Sequence, residues 1–122
     1  MLCFSLMTVS LQVSAFKESD LSKLKETNNC PKCDLVGADL AGMTLGGADL
    51  TGANLEGASL SGASLIRSKL NDTSFIRANL KGANLQETNL QRASFLNADC
   101  TGVILEGSDM TEAYLEETNL SG

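Results

Sequence analysis

Large apolar residues recur at every fifth position from Leu35 to Leu120. The eighteen centres, designated i, are Leu at fourteen positions, Phe at Phe75 and Phe95, Cys at Cys100 and Met at Met110. Two positions earlier, at i−2, ten of the eighteen residues are Ala, and most of the rest are Ser, Thr, Cys or Val. Between them, at i−1, ten are Asp or Asn, and ten of the eleven glycines lie at i+2, Gly46 being the exception. A helix would smear a period of five around its whole surface, and a plain strand needs a period of two. Both objections vanish if the chain turns a corner in every pentad. The i−2 and i side chains then point inward as in a strand, and a turn at i+1 and i+2 resets the face. Glycine at i+2 suits a turn residue with positive φ, and Asx at i−1 bonds local backbone. Four pentads, or 20 residues, close one square coil, so residues 20 apart stack.

The pattern A-(D/N)-L-x-G stands complete in Ala48-Asp49-Leu50-Thr51-Gly52 and Ala53-Asn54-Leu55-Glu56-Gly57, and all but its last position in Ala83-Asn84-Leu85-Gln86-Glu87. In this the chain resembles the pentapeptide repeat family. The resemblance implies an all-β solenoid, a right-handed quadrilateral β-helix, here of about four and a half coils with a short N-terminal α-helical cap. Thr27 to Leu35, with its Cys30-Pro31-Lys32-Cys33, also resembles the lead-in to the coil of exported cyanobacterial and plastid members.

Three segments are expected. Residues 1–15 carry no charge and end in Val13-Ser14-Ala15, which reads as an export signal cleaved after Ala15. They are too short to span a bilayer comfortably, so no stable membrane span follows cleavage. Residues 16–32 form the cap: Asp20 is placed to N-cap a short helix, Leu21 and Leu24 share one face, and Asn28-Asn29 stop it. Residues 33–122 form the β-helix. Stacking at 20 residues puts Phe75 on Phe95 inside, and outside it aligns Asp72 with Arg92 and Glu112, Arg67 with Glu87, and Asp49 with Lys69. Ile76 and Leu96 fall in one outward column, either as ordinary exposed residues or as part of a contact surface.

The last coil is expected to leave its edge open, exposing Leu105, Met110, Leu115 and Leu120, while Ile104 and Tyr114 interrupt the polar i−1 column there. End-to-end homodimerisation through residues 103–122, with Ile104, Met110, Tyr114, Leu115 and Leu120 at the edge, is the expectation; a frayed monomeric coil is the alternative. Residues 99–122 hold six carboxylates and no Lys or Arg.

The absence of His excludes Ser-His-Asp and Cys-His catalysis, His-ligated metal and His switching. The net charge of −6 argues against direct nucleic-acid binding. The glycines belong to the turns and make neither a phosphate loop nor a dinucleotide fingerprint. The disulfide candidate is Cys30 with Cys33, read as a structural link between cap and first coil; a reactive dithiol, a metal site and free thiols are the competing readings. Cys3 leaves with the signal, and Cys100 at an inward centre reads as an inert small hydrophobe. No catalytic, cofactor or metal site is expected. The function expected is a non-catalytic scaffold, or interaction rod, for an unidentified protein partner in an exported compartment, periplasm or thylakoid lumen. The resemblance also implies an alternative, because some family members mimic DNA in size and charge and bind DNA gyrase. A thiol–disulfide role through Cys30 and Cys33 is the second alternative.

Overall fold

The computed structural model describes residues 16–122. The proposed export signal at residues 1–15 lies outside the described residues. One helix, α1 (Glu18–Thr27), precedes a coil built from parallel bridges. Every bridge joins residues 20 apart, from Asn29↔Asp49 to Asp99↔Asn119. The bridges fall into four columns, which contain Asn29, Asp34, Asp39 and Thr44 respectively, and these are the four walls. Each wall is only the short stretch between two corners, so it supplies single bridges and no long strand.

The corners explain the pentad. All eighteen i+2 residues have positive φ, between 53° and 81°, and the next i−2 N–H bonds the preceding i carbonyl, as in Ala78 to Phe75 at 2.9 Å. Positive φ at the third residue alone is the mark of a type II turn. Ten of these residues are Gly; Gly82 sits at φ +69°, where a Cβ is strained whatever space surrounds it.

Every backbone N–H of a pentad has a destination, as Ala78-Asn79-Leu80-Lys81-Gly82 illustrates. Ala78 N–H closes the corner, and Asn79 N–H bonds the preceding coil at Ala58 (2.9 Å). Leu80 and Gly82 N–H bond the following coil at Asp99 and Thr101 (both 2.8 Å). The remaining N–H, of Lys81, bonds the Asn79 side-chain oxygen at 3.0 Å. The i−1 Asx residues therefore satisfy the one donor that the ladder leaves over. Asp39, Asp49, Asn54, Asn84, Asn89 and Asn119 make the same bond.

Inside, the centres from Leu35 to Cys100 and the small i−2 residues form one buried cluster that also takes in Leu24 of α1. Ser68, Thr73 and Thr88 replace Ala at i−2 and are buried, each hydroxyl bonding a backbone carbonyl. The Phe75 and Phe95 rings stack with centroids 5.0 Å apart and planes 12° apart.

Two expectations are corrected. Asp20 does not N-cap α1: the N-cap residue is Lys17, which makes no side-chain cap bond. Asp20 Oδ2 instead accepts from Asp34 N–H at 2.7 Å, and Lys17 N–H bonds Asp34 O at 3.1 Å, fastening the helix to the coil. Asn28 ends the helix as expected, in the left-handed region. The boundary at Cys33 also moves. Asn29 is already bridged to Asp49, and Cys30 and Lys32 N–H bond Asp49 and Thr51 of the next coil (2.7 and 2.8 Å). The last residues of the 16–32 segment are therefore a pentad of the coil, with Cys30 at its centre and Pro31 and Lys32 at its corner.

Candidate functional site

Cys30 and Cys33 flank that first corner, and both face inward. Cys33 N–H bonds Cys30 O at 3.3 Å, Lys32 takes φ 60°, and Pro31 occupies the second turn position, where its fixed φ is preferred. The two residues are disulfide-bonded, with Cα atoms 5.5 Å apart. The bond closes a corner inside the coil; it does not link the helix to the coil, because no cysteine lies in α1. Cys30 is fully buried and Cys33 nearly so. Cys100 is free and buried, and burial, followed by the Asp99 charge, pushes its thiol up to about 11. Such a thiol is a poor nucleophile at neutral pH. Titration of the denatured chain without reductant should therefore find one thiol among residues 16–122, that of Cys100. Three would mean that Cys30 and Cys33 are unlinked.

The outer surface carries ladders at coil spacing. Arg92 holds Asp72 through two hydrogen bonds (2.8 and 3.1 Å) and lies 3.9 Å from Glu112. Arg67 holds Glu87 in the same paired manner (3.2 and 3.3 Å). Arg77 pairs with Glu56, a contact missed in the sequence because its partner is 21 residues away. Asp49 and Lys69 stack by backbone bridge without a close ion pair among the described residues. Arg67, Asp72, Glu87, Arg92 and Glu112 are all corner residues with positive φ where other corners have glycine. Facing corners of neighbouring coils thus exchange glycine's conformational ease for charge pairing. On that account Arg92→Gly should be more stable than Arg92→Ala in urea denaturation, since both lose the ion pair and only Ala keeps the strained φ.

Four carboxyls lie below their ordinary value. In Asp49, Asp99 and Asp109 the main cause is the side-chain hydroxyl of the threonine two residues on, then that residue's N–H. In Asp72 it is the Arg92 hydrogen bond. A depressed folded pKa adds stability that is present above the unfolded value of 3.8 and is lost as pH falls through the folded value. Stability should therefore stay level near neutrality and decline below about pH 4. Asp99→Asn, which keeps the acceptor and removes the proton, should flatten the acid limb of a pH series of urea midpoints.

At the far end Met110, Leu115 and Leu120, three of the five residues singled out in the sequence, line one recess, while Ile104 and Tyr114 are exposed at i−1 positions and do not line it. Ile104, Tyr114, Leu115 and Leu120 are 46%, 58%, 39% and 49% exposed, and Met110 is partly buried beside them. The recess is shallow and is also lined by Leu85, Phe95 and Cys100 of the coil beneath and by Leu105. The N–H groups of Leu105, Met110, Leu115 and Leu120 correspond to those that bond a following coil elsewhere; none has a partner among the described residues. Among the described residues no group of three or more His, Cys, Asp or Glu is placed to hold a metal, and no helix is long and apolar enough to cross a membrane.

The "Pentapeptide repeats" family profile matches in eight copies that together run from residue 33 to residue 122. The chain belongs to the pentapeptide repeat family. Proteins of this family are right-handed quadrilateral β-helices. Among solved structures, the chain is similar to HetL, a pentapeptide repeat protein involved in heterocyst differentiation regulation in the cyanobacterium Nostoc. The identity is 33% and the TM-score 0.62, over 75% of this chain and 46% of that one. It is also similar to a pentapeptide repeat protein of the Arabidopsis thaliana thylakoid lumen, at 27% identity and TM-score 0.49 over 65% of this chain and 62% of that one. A third is Rfr23 of the cyanobacterium Cyanothece, at 27% identity and TM-score 0.44 over 83% and 97%. The chain therefore spans less than two thirds of the length of the first two. No curated protein sequence matches it.

Proposed function

We propose that this pentapeptide repeat protein is a non-catalytic interaction rod of about four and a half coils, capped by α1, acting in an exported compartment such as the periplasm or thylakoid lumen. The observation that carries the reading is where the chemistry is spent. Inward side chains pack the core, i−1 carboxylates and amides satisfy backbone N–H groups, and corner charges pair with the next coil. What remains to act with is surface. The export reading is supported by the uncharged residues 1–15 ending in Val13-Ser14-Ala15, and by a cysteine pair suited to an oxidising compartment.

DNA mimicry with gyrase as target is the second reading, favoured by the net charge of −6. The alternating Asp72–Arg92–Glu112 corner weighs against it, since a phosphate backbone presents one sign only. A thiol–disulfide role is weakened by the burial of Cys30 and Cys33. Fractionation followed by intact-mass measurement and co-purification is the test. An exported chain starting at Phe16, held by a protein partner, is expected. A cytosolic chain that retains residues 1–15 and inhibits DNA supercoiling would replace this reading with the second.

A further inference from the structure

We propose that α1 is a lid over the Cys30–Cys33 disulfide, and that its release turns a sealed bond into a site for exchange with a dithiol reductant. This goes beyond the interaction-rod reading and does not rest on it. The helix lies directly on the pair. Cys30 Sγ is 3.3 Å from the Asp20 carbonyl oxygen, and Leu24 of α1 packs in the same buried cluster as both cysteines. Exchange requires a thiolate to reach one of the two sulfurs, and the docked helix denies it that approach.

α1 is held far more weakly than the corner it covers. Its ten residues are fewer than an isolated helix needs, no side chain caps its N-terminus, and only Leu24 among them is buried. Its first turn is fastened through Asp34, by Lys17 N–H to Asp34 O at 3.1 Å and by Asp34 N–H to Asp20 Oδ2 at 2.7 Å. From Asn28 onward the chain belongs to the coil. Asn28 Nδ2 donates to Gly46 O at 2.9 Å, its carbonyl accepts from Asp49 N–H at 3.1 Å, and Cys30 and Lys32 N–H bond the next coil. The helix can therefore leave by a turn at the left-handed Asn28 while the disulfide corner stays in place. A thiolate of the reductant then attacks Sγ of Cys33, the less deeply buried of the two, and the electron pair of the broken S–S bond passes to Cys30, which takes up a proton. The second thiol of the reductant displaces Cys33 as a thiol, and the reductant departs as its own disulfide. Two electrons and two protons have passed to the protein.

Reduction kinetics of the full chain in dithiothreitol test this, with alkylation and the masses of the peptides carrying Cys30 and Cys33 as the readout. The folded chain is expected to be reduced far more slowly than the urea-unfolded chain. Asp20→Ala removes the acceptor for Asp34 N–H and should speed reduction roughly tenfold, with the circular dichroism of the coil unchanged. Asp20→Asn keeps an acceptor oxygen and should stay near the wild-type rate. Phe75→Ala separates local opening from unfolding of the whole coil, since it weakens the coil two turns away from Leu35. It should leave the rate unchanged, and Phe75→Leu makes the same comparison if the Ala variant does not fold. A wild-type rate equal to that of the unfolded chain, no acceleration in Asp20→Ala, equal acceleration in Asp20→Asn, or acceleration in the Phe75 variant as large as in Asp20→Ala would each overturn the proposal. Co-purification of a protein partner reports on the interaction rod alone, so the two readings fail separately.

Discussion

Phe75→Ala is expected to destabilise the protein by about 3–5 kcal/mol, the largest loss of any single truncation in the coil. Phe75 is fully buried and its ring stacks on Phe95 at 5.0 Å. It belongs to the column Leu35, Leu55, Phe75, Phe95, Leu115, which also fixes the size of the hole left behind. The walls above and below are tied by backbone bonds, such as Phe75 N–H to Ser94 O at 2.7 Å, so they cannot collapse into the cavity without breaking the ladder. Phe75→Leu restores the residue that the same column uses at Leu55 and should cost no more than about 1.5 kcal/mol. Urea denaturation followed by far-ultraviolet circular dichroism gives both numbers. An Ala variant as stable as the Leu variant would mean that Phe75 does not face a closed interior.

This column was legible in the sequence because a coil of fixed length turns sequence distance into stacking. The same rule found the Phe75–Phe95 pair and the Asp72–Arg92–Glu112 corner. It failed where contacts do not follow the period. Arg77 reaches Glu56 across an offset of 21, which depends on the rotamers of two long side chains. Asp20 has the composition of a helix N-cap, and nothing local distinguishes that role from bonding Asp34 N–H, 14 residues on. The first pentad was hidden by its own residues, since Asn28 stands where Ala is usual and Lys32 where Gly is usual. The signal was there in Cys30, five before Leu35, and in Pro31 at a corner that favours it. At the far end, Ile104 and Tyr114 gave the face away by breaking a polar column. Which backbone groups that face presents depends on the direction of the ladder, which the five-residue period leaves open.

Ala58→Leu should be nearly as damaging as the loss of Phe75 for the opposite reason. Ala58 is fully buried in the column Ala38, Ala58, Ala78, Ala98, where four successive coils admit nothing larger than a methyl group. Its N–H closes a corner on Leu55 O at 3.0 Å, and its carbonyl accepts from Asn79 N–H at 2.9 Å. The wall is therefore pinned on both sides of the added atoms. Three extra carbons must either displace Leu55 or Leu60 or push the coils apart, and overpacking of this kind costs about 1–3 kcal/mol, more where backbone cannot yield. For a domain of this size that corresponds to a fall in Tm of roughly 4–8 °C per kcal/mol. Ala113→Leu supplies the internal comparison. It adds the same atoms at the same pentad position in the last coil, where the side chain is only partly buried and the neighbouring Leu115 is exposed. That substitution should change stability by no more than about 0.5 kcal/mol, because none of the described residues stacks on its outer side. Equal losses at the two positions would show that the limit is set by the pentad itself; the expected difference places the limit in the stacking of one coil on the next.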